Sequence, residues 1–314
     1  MNTPTKLSAF VLGLAAVFGV AFGTGHLTGP VGAGAEDEPN APHGGIDHGG
    51  HGKAMRMAGA EPAGLLVSDR GYTLAREPGA AGEFAFRIIG PDRRAVTAFD
   101  TEHDMRMHLI VVRRDLSGFR HVHPRMSGDG TWRIASPMSG PGTYRAFADF
   151  KPTGAEPLTL GIDAAVAGDA TPRPLPSPTT TASVDGYTVT LDGKLEAGRT
   201  SELVLNIVRD GKPVTDLQPY LAAYGHLVAL REGDLAYLHI HPDGAPGDRK
   251  TRPGPAITFY AEVPSAGTYR LYLDFQHDGK IHTAEFTAVA GGAAAPDQPA
   301  DHQHQTMTNR HKEG

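Results

Sequence analysis

Short apolar runs separated by turn residues dominate the chain from about residue 64 to residue 291. The runs have the length of strands, are rich in β-branched side chains, and end at Gly, Pro or Asp. No stretch of useful length has apolar residues at the spacing of an amphipathic helix. Short strands at regular intervals with turn signals between them are typical of antiparallel β-sandwiches. We therefore predict an all-β fold.

The β-rich region contains one domain twice. Residues 96–124 align without a gap with residues 214–242, and further on GTYRAFADF matches GTYRLYLDF. Two more segments match in the same order, GYTLA with GYTVTL and LTLGIDAAVAG with IHTAEFTAVAG. Four matched blocks in one order indicate an internal duplication. We predict two tandem immunoglobulin-like antiparallel β-sandwiches, formed by residues 64–168 and residues 183–291.

The segments around these two domains offer little to bury. Residues 169–182 are rich in Pro and Thr, which is typical of a linker. Residues 36–63 and 292–314 are rich in Gly, Ala and His, so we expect them to be disordered.

The chain begins with an apolar segment that predicts export. Lys6 precedes the uncharged run LSAFVLGLAAVFGVAF, which is typical of a secretory signal. A small-residue cleavage site precedes Glu36, whereas residues 7–27 have about the 20 residues that span a bilayer. Residues 1–35 are therefore either a cleaved signal peptide or a membrane anchor. In both cases we expect the rest of the chain to be extracytoplasmic, secreted or anchored to the plasma membrane.

Composition excludes several classes of function. The chain has no cysteine, which excludes disulfides, thiolate metal sites and a cysteine nucleophile. The formal net charge of −6 comes from interspersed charges, so we do not expect a nucleic-acid partner. The sequence lacks a nucleophile elbow, a phosphate loop and an HExxH motif, so we do not expect an enzyme. The 16 histidines, in contrast, are clustered.

Three histidines of the first copy mark one face of a predicted β-hairpin. A two-residue loop at its tip pairs Val112 with His121 and Ile110 with His123. Residues directly opposite each other share a face, as do residues two apart along a strand. His108, His121 and His123 therefore point to the same side, with His108 diagonal to His123.

The second copy repeats this pattern. The same reasoning pairs Leu230 with His239 and Val228 with His241, and His226 joins them on that face. Imidazole is the commonest metal ligand, so each set of three histidines is a candidate metal site. A structural role, in which the histidines hydrogen-bond one another or brace the hairpin, stays open.

Further candidate ligands lie close to these histidines. Asp149 and Asp274 close the two GTYR strands and could complete a metal site or orient a ligand imidazole, although an ion pair or a turn role is the alternative. The first copy alone has Glu102, His103, Met105 and Met107. If the two copies differ in metal affinity, we expect the difference to originate there.

Both tails combine histidine with methionine. HGGIDHGGHGKAMRM occupies residues 43–57, and DHQHQTMTNRH occupies residues 301–311. Thioether and imidazole ligands together suit copper, whereas methionine adds nothing for zinc, so we prefer copper over zinc. Solvated tails that chelate weakly are the alternative.

The run MHLIVVRRDLSGFRHVHP followed by GTYRAFADF resembles a group of exported bacterial proteins, common in actinomycetes, that often carry heavy-metal-binding or copper-handling labels. HLVALREGDLAYLHIHPDG with VPSAGTYRLYLDFQHDG is similar to the second half of the same proteins. The resemblance covers about residues 64–291 and implies metal handling outside the cytoplasm. A looser likeness, in fold type and His/Met usage, is to periplasmic copper-resistance β-sandwiches, whose ligands do not map onto these hairpins.

These observations favour an exported or anchored metal-binding protein that sequesters copper or zinc or passes it on. Its expected partners are the metal ion and an envelope metal-handling protein, with membrane contact only through residues 7–27. The alternative is a non-catalytic interaction module of the cell surface, with structural histidines and a contact loop at residues 242–256. A catalytic metal site is the least favoured of the three hypotheses.

Overall fold

The computed structural model describes residues 62–240 and 242–292, except for the side chain of His239. In this part of the chain the regular secondary structure is entirely β-strand, and the paired strands run antiparallel. The strands form four sheets, two for each sequence repeat. The all-β, tandem β-sandwich prediction is thus confirmed.

In the first repeat an outer and an inner sheet pack face to face. The outer sheet contains, in spatial order, β1 (Ser68–Asp69), β2 (Tyr72–Glu77), β3 (Glu83–Ile89), β8 (Thr131–Ala135) and β7 (Arg125–Met126). The inner sheet contains β10 (Leu158–Val166), β9 (Gly142–Pro152), β5 (His108–Arg113) and β6 (Arg120–Val122), with β4 (Phe99–Asp100) also paired to β9.

The second repeat has the same two-sheet arrangement. Its outer sheet contains β11 (Thr181–Val184), β12 (Tyr187–Gly193), β13 (Thr200–Arg209) and β14 (Lys212–Pro213), with β17 (Ala256–Glu262) also paired to β13. Its inner sheet contains β16 (Tyr237–Ile240), β15 (His226–Arg231), β18 (Gly267–His277) and β19 (Lys280–Ala290).

The central strand of the first inner sheet is buried on both faces. Leu109 and Val111 of β5 point into the core of their own sandwich, where they join Trp132. Ile110 and Val112 point the other way and are equally buried. A strand covered on both faces reads as a continuous apolar run, which explains why HLIVV shows no polar alternation.

The outward faces of the two inner sheets form a third hydrophobic core, which joins the repeats. Two aromatic pairs cross it: Phe119 stacks on Tyr272 at 4.0 Å between ring centroids, and Tyr237 stacks on Phe147 at 5.2 Å. Phe119 and Tyr237 occupy matched positions of the duplication, and so do Phe147 and Tyr272. The same contact is therefore made twice, with the contributions of the first and second repeat exchanged. The two repeats thus face each other as a pseudo-symmetric pair.

The register of the first hairpin is two residues away from the prediction. Ile110, not Val112, pairs with His121. The tip is wider than a two-residue loop, because the carboxylate of Asp115 accepts hydrogen bonds from the backbone N–H and the hydroxyl of Ser117. This local bonding stabilises a longer turn that the apolar pattern does not encode.

The second hairpin departs from the prediction by the same amount. Val228 pairs with His239 and Leu230 pairs with Tyr237, so the predicted pairing of Val228 with His241 is wrong. A shift of two residues leaves every side chain on its predicted face, because side chains alternate along a strand.

In the part of the chain that the structure describes, no helix is long and apolar enough to cross a membrane. The apolar segment at residues 7–27 lies outside that part, so its role as signal or anchor stays a prediction.

Candidate metal centre

Three imidazoles of the first repeat converge at one end of the β5–β6 hairpin, and we call them the histidine triad. His108 begins β5, His121 lies in β6, and His123 directly follows β6. One nitrogen of each ring lies within 4.8 Å of those of the other two. His108 Nδ1 is 3.1 Å from His121 Nε2 and 3.3 Å from His123 Nε2. The structure thus brings together the three histidines that the sequence assigns to one face.

The far sides of two triad rings are held by oxygen acceptors. His108 Nε2 lies 3.0 Å from the backbone carbonyl oxygen of Glu102, and His121 Nδ1 lies 3.0 Å from Oδ2 of Asp274. The other carboxylate oxygen of Asp274 accepts a 2.6 Å hydrogen bond from the Thr283 hydroxyl. Because these oxygens can only accept, the proton lies on His108 Nε2 and on His121 Nδ1. Outer partners of this kind are typical of histidines that bind metals.

The nitrogens that face each other therefore carry lone pairs. In neutral rings, His108 Nδ1 and His121 Nε2 both lack a proton, so their 3.1 Å contact is not a hydrogen bond. A proton on His123 Nε2 can form a hydrogen bond to His108 Nδ1, but it leaves the contact between His108 Nδ1 and His121 Nε2 without a proton. A cation between the three nitrogens, either a metal ion or an additional proton on a ring, removes the repulsion between the lone pairs.

Burial keeps the third ring neutral. His123 is partly buried beside the other two triad rings. Burial, followed by the charges that His121 and His108 can carry, lowers the pKa of His123 to about 3. At neutral pH the ring is therefore uncharged, as a ligand imidazole must be.

A tight turn positions the carbonyl that holds His108. Glu102 and Met105 exchange both backbone hydrogen bonds, at 2.9 and 3.0 Å. Between them, His103 and Asp104 have φ values of 47° and 62°, in the left-handed region that non-glycine residues seldom adopt. Such strain persists where the surroundings impose it, often at functional sites.

The second repeat has a matching turn before β15. Leu221 and Ala222 have φ values of 53° and 59°. His226 Nε2 lies 2.9 Å from the carbonyl oxygen of Tyr220 and 3.1 Å from that of Leu221. The first histidine of the second hairpin is therefore held in the same tautomer as His108.

Residues of the second repeat cover the triad of the first. Asp274 on β18 bonds to His121, the Tyr220 ring lies 6.4 Å from the His123 ring, and the His226 ring lies 6.3 Å from that of His121. The triad thus lies at the interface between the repeats. Sequence reasoning missed this placement, although the apolar residues on the histidine face of both hairpins indicate that this face is covered.

Three of the candidates unique to the first copy, His103, Met105 and Met107, take different positions. The ring of His103 lies 6.2 Å from that of His108 and 5.7 Å from that of His226, at the side of the triad. Met105 lies in the tight turn. Met107 is buried in the core of the first sandwich, on the opposite side of the chain from the triad, so it is removed from the candidate ligands.

Asp149 is the first-repeat counterpart of Asp274. One of its carboxylate oxygens accepts a 3.1 Å hydrogen bond from the Thr159 hydroxyl, and the other lies 3.4 Å from the Tyr237 hydroxyl of the second repeat. Burial and the charge of this carboxylate raise the pKa of Tyr237 well above its usual value. Both aspartates thus bond across the interface, and Asp274 bonds to His121 of the triad.

The remaining candidates fall outside the described residues. They are His241, the side chain of His239, and the His/Met segments at residues 43–57 and 301–311. For the second copy the structure therefore describes only His226 of its three predicted ligands.

Comparison with known proteins identifies a family. The family described as a domain of unknown function, DUF8832, matches residues 70–167 and again residues 182–292. No curated protein sequence matches this chain. Two solved structures are similar over a large part of the chain. One is described as "Biofilm associated protein - BSP domain", and the other as "Putative membrane anchored protein from Corynebacterium diphtheriae".

Both structural likenesses are distant. The first has 13% identity over 72% of this chain and 30% of that one, and the second has 11% identity over 74% and 60%. The chain thus spans less than two thirds of either protein. The TM-score is 0.20 in each case, so neither alignment carries an argument about function. The two sequence matches, which together cover more than half of the chain, show that it belongs to the DUF8832 family.

Proposed function

We propose that the histidine triad binds a transition-metal ion, copper or zinc, and that the protein sequesters this ion or passes it on outside the cytoplasm. The observation that carries the proposal is the 3.1 Å contact between two unprotonated nitrogens, His108 Nδ1 and His121 Nε2. The hydrogen bonds on the far sides of both rings fix these tautomers. The lone pairs therefore converge where a metal ion would be bound.

The extracytoplasmic part of the proposal comes from the sequence. The apolar segment at residues 7–27 predicts export, and a chain without cysteine holds a metal by nitrogen, oxygen or thioether. We propose an envelope metal-handling protein as the partner that delivers or receives the ion. The matched histidines of the second copy, His226, His239 and His241, are proposed as a second set of ligands on the strength of the duplication.

The contacts of His121 with His108 and with Asp274 also fit the alternative, a non-catalytic module with structural histidines. An extra proton on His121 would let that ring donate to Asp274 and to His108 at once, so the triad would be held by a proton instead of a metal. The two hypotheses differ in one measurable respect, because only the first requires tight metal binding.

Metal titration of the full-length protein tests the proposal. In calorimetry with copper or zinc, the wild type should bind one more tight ion than a triple variant, His108→Gln with His121→Gln and His123→Gln, that retains both His/Met tails. The control is His282→Gln, because His282 is also buried and bonded to an aspartate, Asp185, at 2.8 Å. The control should bind metal like the wild type. Equal binding by the wild type and the triple variant would contradict the proposal.

A further inference from the structure

A pocket of about 490 Å³ lies between the two sheets of the second sandwich, where β12 ends and β13 begins. Leu191, Leu195 and Leu203, which belong to the core of that sandwich, form its floor. Val289 of β19 also lines the pocket and is 56% exposed. Small-molecule sites have volumes of roughly 300–1,000 Å³ and mostly apolar walls with a few polar groups. The pocket shares no residue with the histidine triad.

The duplication explains why this space is open in the second repeat. The first repeat has EFAFRII in β3 where the second has ELVLNIV in β13, so Leu203 replaces Phe84. The strand pairing likewise places Leu191 where the first repeat has Arg76. In the first repeat Phe84 is 1% exposed, and the guanidinium carbon of Arg76 lies 4.4 Å from its ring centroid. Two smaller leucine side chains leave the corresponding space unfilled.

One cation borders this apolar pocket. Lys194 is the one charged residue in its described lining, and no carboxylate of the described residues forms an ion pair with it. Asp192 instead accepts a 3.0 Å hydrogen bond from the Asn206 side chain. Glu196 pairs with Arg199 at 3.2 Å. The ammonium group of Lys194 therefore attracts an anionic ligand to the pocket.

We propose that this pocket binds a fatty acid, with the acyl chain against the leucine floor and the carboxylate at Lys194. A small inorganic anion would pair with the ammonium group but leave the apolar floor uncovered. A neutral hydrocarbon would cover the floor but leave the ammonium group unpaired. A fatty acid does both, because its chain is removed from water while its carboxylate accepts charge-assisted hydrogen bonds.

Calorimetric titration of the full-length protein with sodium decanoate, below its micelle concentration, tests the proposal. Leu203→Phe fills the pocket with the side chain that the first repeat has at this position. We expect saturable binding by the wild type and loss of that binding in the variant. Lys194→Gln should weaken binding by about fivefold, the size expected of one exposed ion pair. Its matched control is Lys280→Gln, at the opposite end of β19, which should bind decanoate like the wild type.

Four results would overturn the proposal. They are no saturable binding by the wild type, equal binding by the wild type and Leu203→Phe, unchanged binding in Lys194→Gln, and equal affinity of the wild type for decanoate and for decyltrimethylammonium, whose head group is cationic. Where Leu203→Phe does not fold, Val289→Glu replaces it, because this exposed residue lines the pocket and a carboxylate there repels decanoate. None of these results bears on metal binding by the triad.

Discussion

Replacing Asp274 by asparagine changes the charge beside the triad with little change in shape. The asparagine carbonyl can still accept the hydrogen bond from His121 Nδ1, so the tautomer is kept, but the negative charge is lost. Both side chains are almost fully buried, at 2% exposure for His121 and 4% for Asp274, so solvent does not screen this charge. Loss of an outer partner of a metal ligand typically costs 10–100-fold in affinity, which is about 1.4–2.8 kcal/mol.

Asp274→Ala should have a second effect. The hydrogen bonds from His121 and Thr283 are both lost, and the buried N–H of His121 is left without its acceptor. Leaving a buried hydrogen-bond donor unsatisfied in this way costs roughly 1–3 kcal/mol of the free energy of unfolding. Asp274→Asn should lose less, because one of the two hydrogen bonds can re-form.

The assay is competitive metal titration at pH 7, with urea denaturation of the metal-free proteins as the measure of stability. The matched control is Asp185→Asn, because Asp185 also accepts a hydrogen bond from a histidine, His282, but away from the triad. We expect weaker metal binding in Asp274→Asn and unchanged binding in the control. Unchanged affinity in Asp274→Asn, or an equal loss in the control, would refute the role assigned to Asp274.

Three further outcomes are expected. In metal-free protein, His123 has a pKa of about 3 when folded against an ordinary value of about 6.5 when unfolded, so acid favours the unfolded state. The free energy of unfolding should therefore fall as the pH is lowered from 6.5 towards 3, and it should fall less steeply in His123→Gln. Urea denaturation of both proteins at pH 7 and pH 4.5 measures this difference. Phe119→Ala removes one of the two stacked aromatic pairs between the repeats and should cost about 3–5 kcal/mol of unfolding free energy, with weaker metal binding. Ala222→Gly relieves a φ of 59° and should stabilise the protein by about 1 kcal/mol in the same assay; no gain would mean that this turn is not strained.

The sequence predicts the faces of the strands well, because side-chain alternation depends only on position. His108, His121 and His123 share a face at any register that differs by an even number of residues. The same rule excludes Met107, which adjoins His108 and so points to the opposite side, into the sandwich core. The prediction of Met107 as a candidate ligand is inconsistent with the side-chain alternation that places the three histidines on one face.

The register and the partners across the interface could not be predicted in the same way. The register depends on how Asp115 and Ser117 bond at the hairpin tip, which a two-residue loop does not include. The bond from His121 to Asp274 joins residues of different repeats, and its existence depends on how the two inner sheets dock. Spacing within one repeat contains no information about that docking. The domain limits and the exported location remain predictions from the sequence.

The most direct test of metal binding by the triad is a crystal structure of the copper-loaded full-length protein, with anomalous scattering measured at the copper edge. The account predicts one anomalous peak about 2 Å from three atoms, His108 Nδ1, His121 Nε2 and His123 Nε2. It also predicts that Asp274 remains bonded to His121 Nδ1 in that structure. A triad without an anomalous peak, with the three rings in the same contacts, would contradict metal binding by the triad.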